Sequence, residues 1–297
     1  MELQQQCRAT GHTSDISFVA PASAIFAVET LATNTVPELP EVEFAASRLR
    51  AVIVGATVSA VTVSHPAVAR ALTPATRRTL RNRVVVSIQR RAKIQLLHFD
   101  DGHVLEVHFR MTGDWDIGTV TDDTPRFERA RLAFTNGVRV SLVDSRALAV
   151  LRVHAPGALR LPVLGPEPLD NAFTATVLAH ALEKQSRAIK LALLDQRVIA
   201  GIGNIYACEA LWVARIHPTR GAKTLSFTRV QRLRDAVREV LTAATASRYY
   251  GSATAAAIDV AWRVYDCEGE ACTRCGSRIR RITQGARSTY YCGGCQR

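Results

Sequence analysis

The sequence has no apolar run of the roughly 20 residues that a membrane-spanning helix requires. The apolar stretch at residues 18–28 has no basic segment before it, so it does not have the form of a secretory signal. No internal repeat is found. The cysteines number seven, an odd count, and four of them lie close together near the C-terminus. This distribution favours metal ligation in a reducing compartment over a disulfide framework.

Acidic residues are too few to balance the basic ones. The chain has 26 Asp and Glu against 38 Lys and Arg, which gives a formal charge of +12 and a pI near 9.9. Such a balance indicates a polyanionic partner, most simply nucleic acid, although many basic proteins bind nothing in particular. A hydrophobic content of 47% is that of a globular protein, and 297 residues suffice for one large domain or two ordinary ones.

Hydrophobic periodicity divides the chain into segments of different character. Residues 1–36 show no firm periodicity and little charge. Between residues 57 and 143, apolar residues alternate or run between turn residues, which predicts an antiparallel sandwich of about six or more strands. Helical patterns follow at 172–184, 187–194, 204–213 and 226–247. We therefore predict a leader that is disordered or not translated (1–36), a β-sandwich domain (37–154), a Pro- and Gly-rich linker (155–170), a helical domain (171–250) and a loop with a zinc finger (251–297).

Four cysteines near the C-terminus form the strongest local signal. Their spacing is Cys272-x2-Cys275-x16-Cys292-x2-Cys295, which falls within the four-cysteine zinc pattern. Four thiolates leave no open coordination position on the metal, so we predict one structural Zn²⁺. The alternative, chance clustering of cysteines, is disfavoured by this spacing.

Arginines are concentrated in the same segment, where acidic residues are lacking. They are Arg274, Arg278, Arg280, Arg281, Arg287 and Arg297. A run of charge is ordinarily a solvated face. Here a rigid zinc-held hairpin would present arginines that have nothing to pair with, which favours contact with phosphate. We therefore predict a zinc finger that binds DNA or RNA.

A glycine turn joins two of the predicted helices. Gly201 and Gly203 precede Asn204, which we place at the N-cap of the following helix. One interpretation is a tight helix–helix connection. The other is a helix N-terminus whose small residues let a phosphate approach the backbone N–H groups. The arginine-rich finger in the same lobe favours the second interpretation.

The segment PELPEVE at residues 37–43 begins a helical pattern. Pro40 suits the first turn, where a missing N–H costs nothing, and Glu41 suits the positive helix N-terminus. Apolar residues then recur at helical spacing, and Gly55 is a plausible C-cap. This pattern does not account for Pro37 and Glu38.

Six motifs in one order together resemble the formamidopyrimidine-DNA glycosylase family (Fpg/Nei). They are PELPEVE (37–43), QRRAK (89–93), LGPEPL (164–169), GIGNIYACEAL (201–211), IHP (216–218) and the finger ending RSTYYCGGCQ. The similarity extends over residues 37–297, and PELPE resembles the Fpg branch rather than the endonuclease VIII branch. The resemblance implies an α+β fold with two lobes: an N-terminal antiparallel β-sandwich with helices, and a C-terminal helix–two-turn–helix bundle with a four-cysteine zinc finger.

The resemblance also implies an activity. Members of this family are bifunctional DNA glycosylases and AP lyases of base excision repair. They remove oxidised purines (formamidopyrimidine and, for some, 8-oxoguanine) and cleave the abasic strand by β,δ-elimination. The implied partner is double-stranded DNA with oxidised bases or abasic sites. The implied setting is a monomer without membrane association, acting on the bacterial nucleoid in the cytoplasm.

In that family the proline is the first residue of the mature protein, and its secondary amine is the nucleophile. The matching residue here is Pro37. An α-amino group has a pKa of about 7.7–8.0, so roughly a tenth of it is neutral at pH 7, whereas a lysine at about 10.4 is almost entirely protonated. An internal proline nitrogen is an amide and has no available lone pair. We therefore expect Val36 to be translated from an alternative start codon as initiator methionine, which is then removed.

The family's other functional positions are matched one by one in this sequence. Glu38 matches the general acid that protonates the deoxyribose ring oxygen, and Glu41 matches a second, supporting carboxylate. Lys93 matches the lysine that contacts the phosphate beside the lesion; by itself it would be taken for a solvated lysine. The matches to DNA-binding positions are Asn204 and Arg287 for phosphates, and Met111 and Arg146 for the triad that fills the gap left by a flipped base. Met111 alone would be taken for a core residue.

Two departures from the family pattern bear on specificity. The family's DPRRFG is DSRALA at residues 144–149, so Leu148 replaces an aromatic wedge and stacks less. The loop at residues 252–264 is short and alanine-rich, which leaves open whether 8-oxoguanine is excised; abasic-site cleavage depends less on that loop. Two alternatives stay open: a non-catalytic damaged-DNA-binding paralogue with Pro37 internal, and a glycosylase specific for oxidised pyrimidines.

Overall fold

The computed structural model describes residues 36–250 and 262–297. The predicted leader up to residue 35 and residues 251–261 of the predicted loop lie outside the described residues. The described chain divides into two compact units, one of residues 36–161 with 247–250 and one of residues 162–246 with 262–297. Within these residues, no helix combines the length and the apolar character needed to cross a bilayer.

The first unit is a β-sandwich with helices. Its helices are α1 (Leu39–Ile53), α2 (Pro66–Ala69) and α3 (Pro74–Leu80). Its strands are β1 (Val58–Val63), β2 (Val85–Arg91), β3 (Ile94–Phe99), β4 (Val104–His108), β5 (Gly113–Thr119), β6 (Glu128–Phe134), β7 (Val138–Asp144) and β8 (Val150–His154). They form two four-stranded antiparallel sheets, in the orders β1-β6-β7-β5 and β2-β3-β4-β8. The predicted antiparallel sandwich is confirmed.

The core of this unit is formed by apolar residues of both sheets and of α1. Strand β6 shows why the sequence forms it, because its residues alternate between buried and half-buried along the whole strand. One buried polar side chain links three elements of this core. The fully buried Gln95 accepts a hydrogen bond from Trp115 Nε1 at 2.6 Å and donates from Nε2 to the carbonyl of Val42 at 2.9 Å. This link fixes α1 against strands β3 and β5.

Helix α1 has the predicted position and face. Glu38 is its N-cap residue, and Pro40 lies in the first turn. The buried stripe contains the predicted apolar residues Val42, Ala45, Ala46, Leu49 and Ile53. The C-cap is Val54, one residue before the expected Gly55, whose φ of +83° is one that glycine adopts without strain.

The second unit consists of helices followed by a β-hairpin. Its elements are α4 (Ala175–Glu183), α5 (Ile189–Leu193), α6 (Asn204–Val213), the 3₁₀ helix Ala222–Thr224, α7 (Phe227–Tyr250), β9 (Ile279–Gln284) and β10 (Arg287–Cys292). Helix α6 is buried on nearly every side, which explains why its sequence is apolar all round. The predicted helical lobe with a cysteine module is confirmed.

Candidate functional site

Pro37 lies half-buried directly before α1, and two buried carboxyl groups follow it at the helix N-terminus. Glu38 is 1% exposed and Glu41 is 9% exposed. The backbone N–H of Glu38 donates to Glu41 Oε2 at 3.0 Å, so the two residues are held together at this end of the helix. A helix N-terminus favours negative charge. The three residues predicted to act in catalysis near the chain start therefore share one helix end.

Lys93 lies in the two-residue turn between β2 and β3, beside Ala92, which has a φ of +55°. The turn is fastened to α1 through Glu43. Arg90 donates from Nε to Glu43 Oε2 at 2.8 Å and from Nη1 to the Ala92 carbonyl at 3.0 Å. Burial raises the pKa of Glu43, but Arg50 and Arg90 outweigh it and hold that pKa below its usual value. Glu43 was not singled out from the sequence.

His108 is the last residue of β4, three residues before Met111, and the charge of Lys93 acts on it. It is half-buried, and its Nδ1 accepts a hydrogen bond from the backbone N–H of Arg110 at 3.0 Å. Burial, together with the charges of Arg110 and Lys93, lowers the pKa of His108 to about 4. His108 is therefore neutral at pH 7, which suits its role as an acceptor.

The structure brings together the residues predicted to fill a gap in the base stack. Arg146 Nη1 lies 3.0 Å from Met111 Sδ. Leu148 follows on the same loop, and both apolar side chains are exposed, Met111 by 39% and Leu148 by 42%. Met111 is thus a surface residue, not a core residue.

Asp144 organises the loop on which Arg146 and Leu148 lie. The residue is 1% exposed. Its carboxylate accepts from the backbone N–H of Arg146 at 3.1 Å, of Leu148 at 2.6 Å and of Ala149 at 2.7 Å. It also accepts from the hydroxyl of Thr112, the residue after Met111. One carboxylate therefore fixes both segments of the candidate wedge.

We expect the substitution D144N to destabilise this loop and to weaken binding to abasic-site DNA. The amide NH₂ would face backbone N–H donors, which leaves at least one buried group unpaired at a cost of about 3 kcal/mol. Thermal unfolding and binding to an abasic-site duplex measure the two effects. The control is D114N, since Asp114 forms a partly exposed ion pair with Arg48, a type worth about 0–1 kcal/mol. Equal effects of the two substitutions would contradict the assignment.

Asn204 is the first residue of α6, and Gly203 is the N-cap. The prediction that Asn204 is the N-cap is wrong by one residue, because the extended backbone at Gly203 ends the turn there. The Asn204 side chain instead reaches the hairpin of the finger, where its Nδ2 donates to the Ser288 carbonyl at 2.9 Å.

Arg287 is the first residue of β10 and is exposed. The turn before it consists of Gly285 and Ala286, with φ of +55° and +57°, which is the pattern of a type I′ hairpin turn. Because Arg287 adjoins Ser288, the hydrogen bond from Asn204 holds the helix N-terminus beside this arginine. The two predicted phosphate contacts of the second unit are thus brought together.

Three arginines of the finger already have partners inside the protein. Arg281 forms an ion pair with Glu268 at 2.7 Å. Arg274 lies over the ring of Trp212, with its guanidinium carbon 3.8 Å from the ring centroid, and Arg278 donates to a backbone carbonyl at 2.7 Å. The prediction that the finger arginines have nothing to pair with is wrong for these three, because their partners lie outside the cysteine module.

The four predicted metal ligands converge. The Sγ atoms of Cys272, Cys275, Cys292 and Cys295 all lie within 4.8 Å of one another. Trp212 Nε1 donates to Cys272 Sγ at 3.4 Å. Four thiolates at these separations fit a closed tetrahedral Zn²⁺ site.

Glu209 anchors the segment that leads into the finger. Its buried carboxylate accepts hydrogen bonds of 2.9–3.1 Å from the backbone N–H groups of Arg263, Val264 and Tyr265. Burial raises the pKa of Glu209, while these hydrogen bonds and the charge of Arg263 oppose the rise. Glu209 was not predicted as a site residue. Its sequence signal is an acidic residue inside an otherwise apolar helix.

Comparison with protein families agrees with these sites. Models of the formamidopyrimidine-DNA glycosylase N-terminal domain and H2TH domain match residues 36–151 and 164–255. A model described as a zinc finger found in FPG and IleRS matches residues 269–297. This match contains the four converging cysteines, which form the site of one structural zinc.

Whole-chain comparisons agree. A formamidopyrimidine-DNA glycosylase of Roseiflexus sp. is 40% identical, over 88% of this chain and 100% of the relative. Two crystal structures of the Lactococcus lactis enzyme, one bound to DNA with an AP site and one to DNA with FAPY-dG, are each 28% identical with a TM-score of 0.80. They cover 88% of this chain and 99% and 100% of theirs. The chain belongs to the formamidopyrimidine-DNA glycosylase family.

Proposed function

We propose that this protein is a bifunctional DNA glycosylase and AP lyase of base excision repair, and that its active form begins at Pro37. The observation that carries the proposal is the helix end where Pro37, Glu38 and Glu41 lie together. Two comparisons support the proposal. The match to the family's N-terminal domain begins at residue 36, and 88% of this chain covers the full length of the Roseiflexus relative. The test is reductive trapping on abasic-site DNA, with and without the residues before Pro37.

In the proposed reaction, the lone pair of the Pro37 nitrogen attacks C1′ of the damaged nucleotide. The bond from C1′ to the base breaks, and its electron pair leaves with the base, which takes up a proton. The attached nitrogen loses its proton, and its lone pair then opens the sugar ring: the C1′–O4′ bond breaks and an iminium forms between Pro37 and C1′. Because the iminium keeps its positive charge, it accepts electrons when the C2′ proton is lost and the 3′ phosphate is expelled. A second elimination expels the 5′ phosphate.

Glu38 is the proposed general acid in this reaction. When the ring opens, O4′ gains an electron pair and takes a proton from the Glu38 carboxyl group. Glu41 holds the Glu38 backbone by its 3.0 Å hydrogen bond and so supports the position of that acid. Lys93, in a turn fastened to α1 through Glu43 and Arg90, is proposed to bind the phosphate beside the lesion.

Met111, Arg146 and Leu148 are proposed to fill the gap that a flipped nucleotide leaves. Flipping a base costs a few kcal/mol of stacking, so a wedge is required. The exposure of Met111 and Leu148, the contact of Arg146 with Met111 and the support of this loop by Asp144 suit this role. For the substrate we propose formamidopyrimidine lesions, since the Lactococcus relative is bound to DNA containing FAPY-dG.

The partner that we propose is double-stranded DNA with oxidised bases or abasic sites. The charge of +12 supports it, as does the placement of Asn204 beside Arg287. We propose a monomer that acts in the cytoplasm. We also propose three domain limits: 37–154 for the β-sandwich domain, 171–250 for the helical domain and 251–297 for the loop with the zinc finger. The family models match these parts at residues 36–151, 164–255 and 269–297.

We expect R287A to weaken binding to every duplex alike, with or without a lesion. A phosphate contact carries no sequence information, and its loss should lower the slope of log affinity against log salt by about one. Binding titrations at several salt concentrations measure this slope. The matched control is R281A in the same hairpin, which should change the slope less because Arg281 is paired with Glu268. A loss confined to lesion-containing DNA would show that the phosphate assignment is wrong.

A further inference from the structure

Phe127 is an exposed aromatic residue in a backbone conformation that bulky side chains rarely adopt. It is 42% exposed, and its φ is +64°. Such strain persists where the surroundings enforce it, and it occurs preferentially at functional sites. Here the backbone N–H of Asp144 donates to the Phe127 carbonyl at 3.1 Å. The residue that organises the loop of Arg146 and Leu148 therefore also holds Phe127.

Two arginines flank the Phe127 ring. The guanidinium carbons of Arg126 and Arg129 lie 4.5 and 5.8 Å from the ring centroid. Arg129 also donates to the carbonyl of Asp144 at 2.6 Å and to that of Ser145 at 3.2 Å. The ring and its cations are thus fastened to the same loop by three hydrogen bonds.

The acidic residue between these arginines does not neutralise the surface. Glu128 is buried, and its carboxylate accepts from Ser141 Oγ at 2.5 Å and from Arg131 Nε at 2.8 Å. What Arg126 and Phe127 present to solvent is an aromatic ring with the Arg126 guanidinium over it. An aromatic ring with neighbouring cations is the arrangement by which proteins bind unstacked bases together with their phosphates.

We propose that Phe127, held to this loop by Arg129, is a stacking platform for an unstacked nucleobase of damaged DNA, with Arg126 meeting the adjoining phosphate. The proposal rests on the proposed function, because only DNA with a gap in its stack offers a free base face. It also gives this chain an aromatic surface at the loop where Leu148 replaces an aromatic wedge.

The test uses the full chain and two duplexes, one intact and one with a tetrahydrofuran abasic analogue opposite 2-aminopurine. F127A should weaken binding to the abasic duplex about tenfold, since base–aromatic stacking is of that order, and leave binding to intact duplex unchanged. It should also abolish the change in 2-aminopurine emission on binding. F127W should restore both. The matched control is F227A, because Phe227 is also exposed, at 55%, but belongs to the second unit.

F127G separates stacking from a structural role. Glycine relieves the strain at this φ, so the melting temperature should stay the same or rise while abasic-duplex binding falls as in F127A. The platform would be overturned if F127A bound the abasic duplex as well as the unsubstituted chain does. An equal loss of binding to both duplexes would overturn it too. The catalytic proposal is tested separately by borohydride trapping. If no adduct forms but F127A still loses abasic-duplex binding, catalysis alone is overturned. If the adduct forms but F127A binds normally, the platform alone is overturned.

Discussion

We expect protein that begins at Pro37 to form a borohydride-stable adduct with abasic-site DNA, and the 297-residue chain to form none. The difference is chemical. With residues before it, the Pro37 nitrogen is a tertiary amide whose lone pair is delocalised into the carbonyl of Val36. As an N-terminus it is a secondary amine with a pKa near 8, neutral in roughly a tenth of the molecules at pH 7. We expect adduct formation to fall to background in the longer chain.

The shorter form is obtained by starting translation at residue 36 with V36M, since an initiator methionine before proline is removed. Both forms should fold alike and bind abasic-site DNA, so binding in the same samples controls for folding. Intact mass of the native protein then identifies which N-terminus the cell produces. Equal trapping by the two forms would show that the amine of Pro37 is not the nucleophile, and the binding-only alternative would gain support.

Much of the fold could be predicted from the sequence because its elements have regular hydrophobic patterns. Helix α6 was predicted at its observed limits, and the burial of β6 alternates as its sequence indicates. Strand β5 was missed, because its sequence GDWDIGT contains glycine, aspartate and threonine, which are typical of turns. Only its pairing with β7 along the full strand makes it extended, and that pairing is a contact between distant residues.

The candidate site could be predicted by residue type but not by its supporting contacts. Pro37 and the four cysteines stand out in the sequence, since their chemistry requires those residue types. Asp144 does not, because its role depends on backbone N–H groups that the loop directs toward it. The ion pair of Arg281 with Glu268 was missed for a related reason. The cysteine module itself contains no acidic residue, and Glu268 precedes it.

Loss of the zinc site should have the second large effect. Structural zinc stabilises modules of this kind by roughly 10 kcal/mol or more at neutral pH, which exceeds the stability of a small hairpin. Cys292 is fully buried, in a cluster with Trp212 and Tyr290 that joins the finger to α6. We therefore expect C292S to lose zinc, to unfold the β9–β10 hairpin and to leave the β-sandwich unit folded.

The effect of C292S on DNA binding should be larger than that of R287A, because the hairpin carries more than one contact. Unfolding it removes Arg287 and also the Ser288 carbonyl that holds the Asn204 side chain at 2.9 Å. We expect affinity for any duplex to fall roughly tenfold or more. Zinc content, near-ultraviolet circular dichroism and DNA titration measure the three effects. The matched control is C208S: Cys208 is buried in the same cluster but is not among the four ligands, so zinc should be retained. Zinc loss in C292S with unchanged DNA binding would show that the finger has no part in holding DNA.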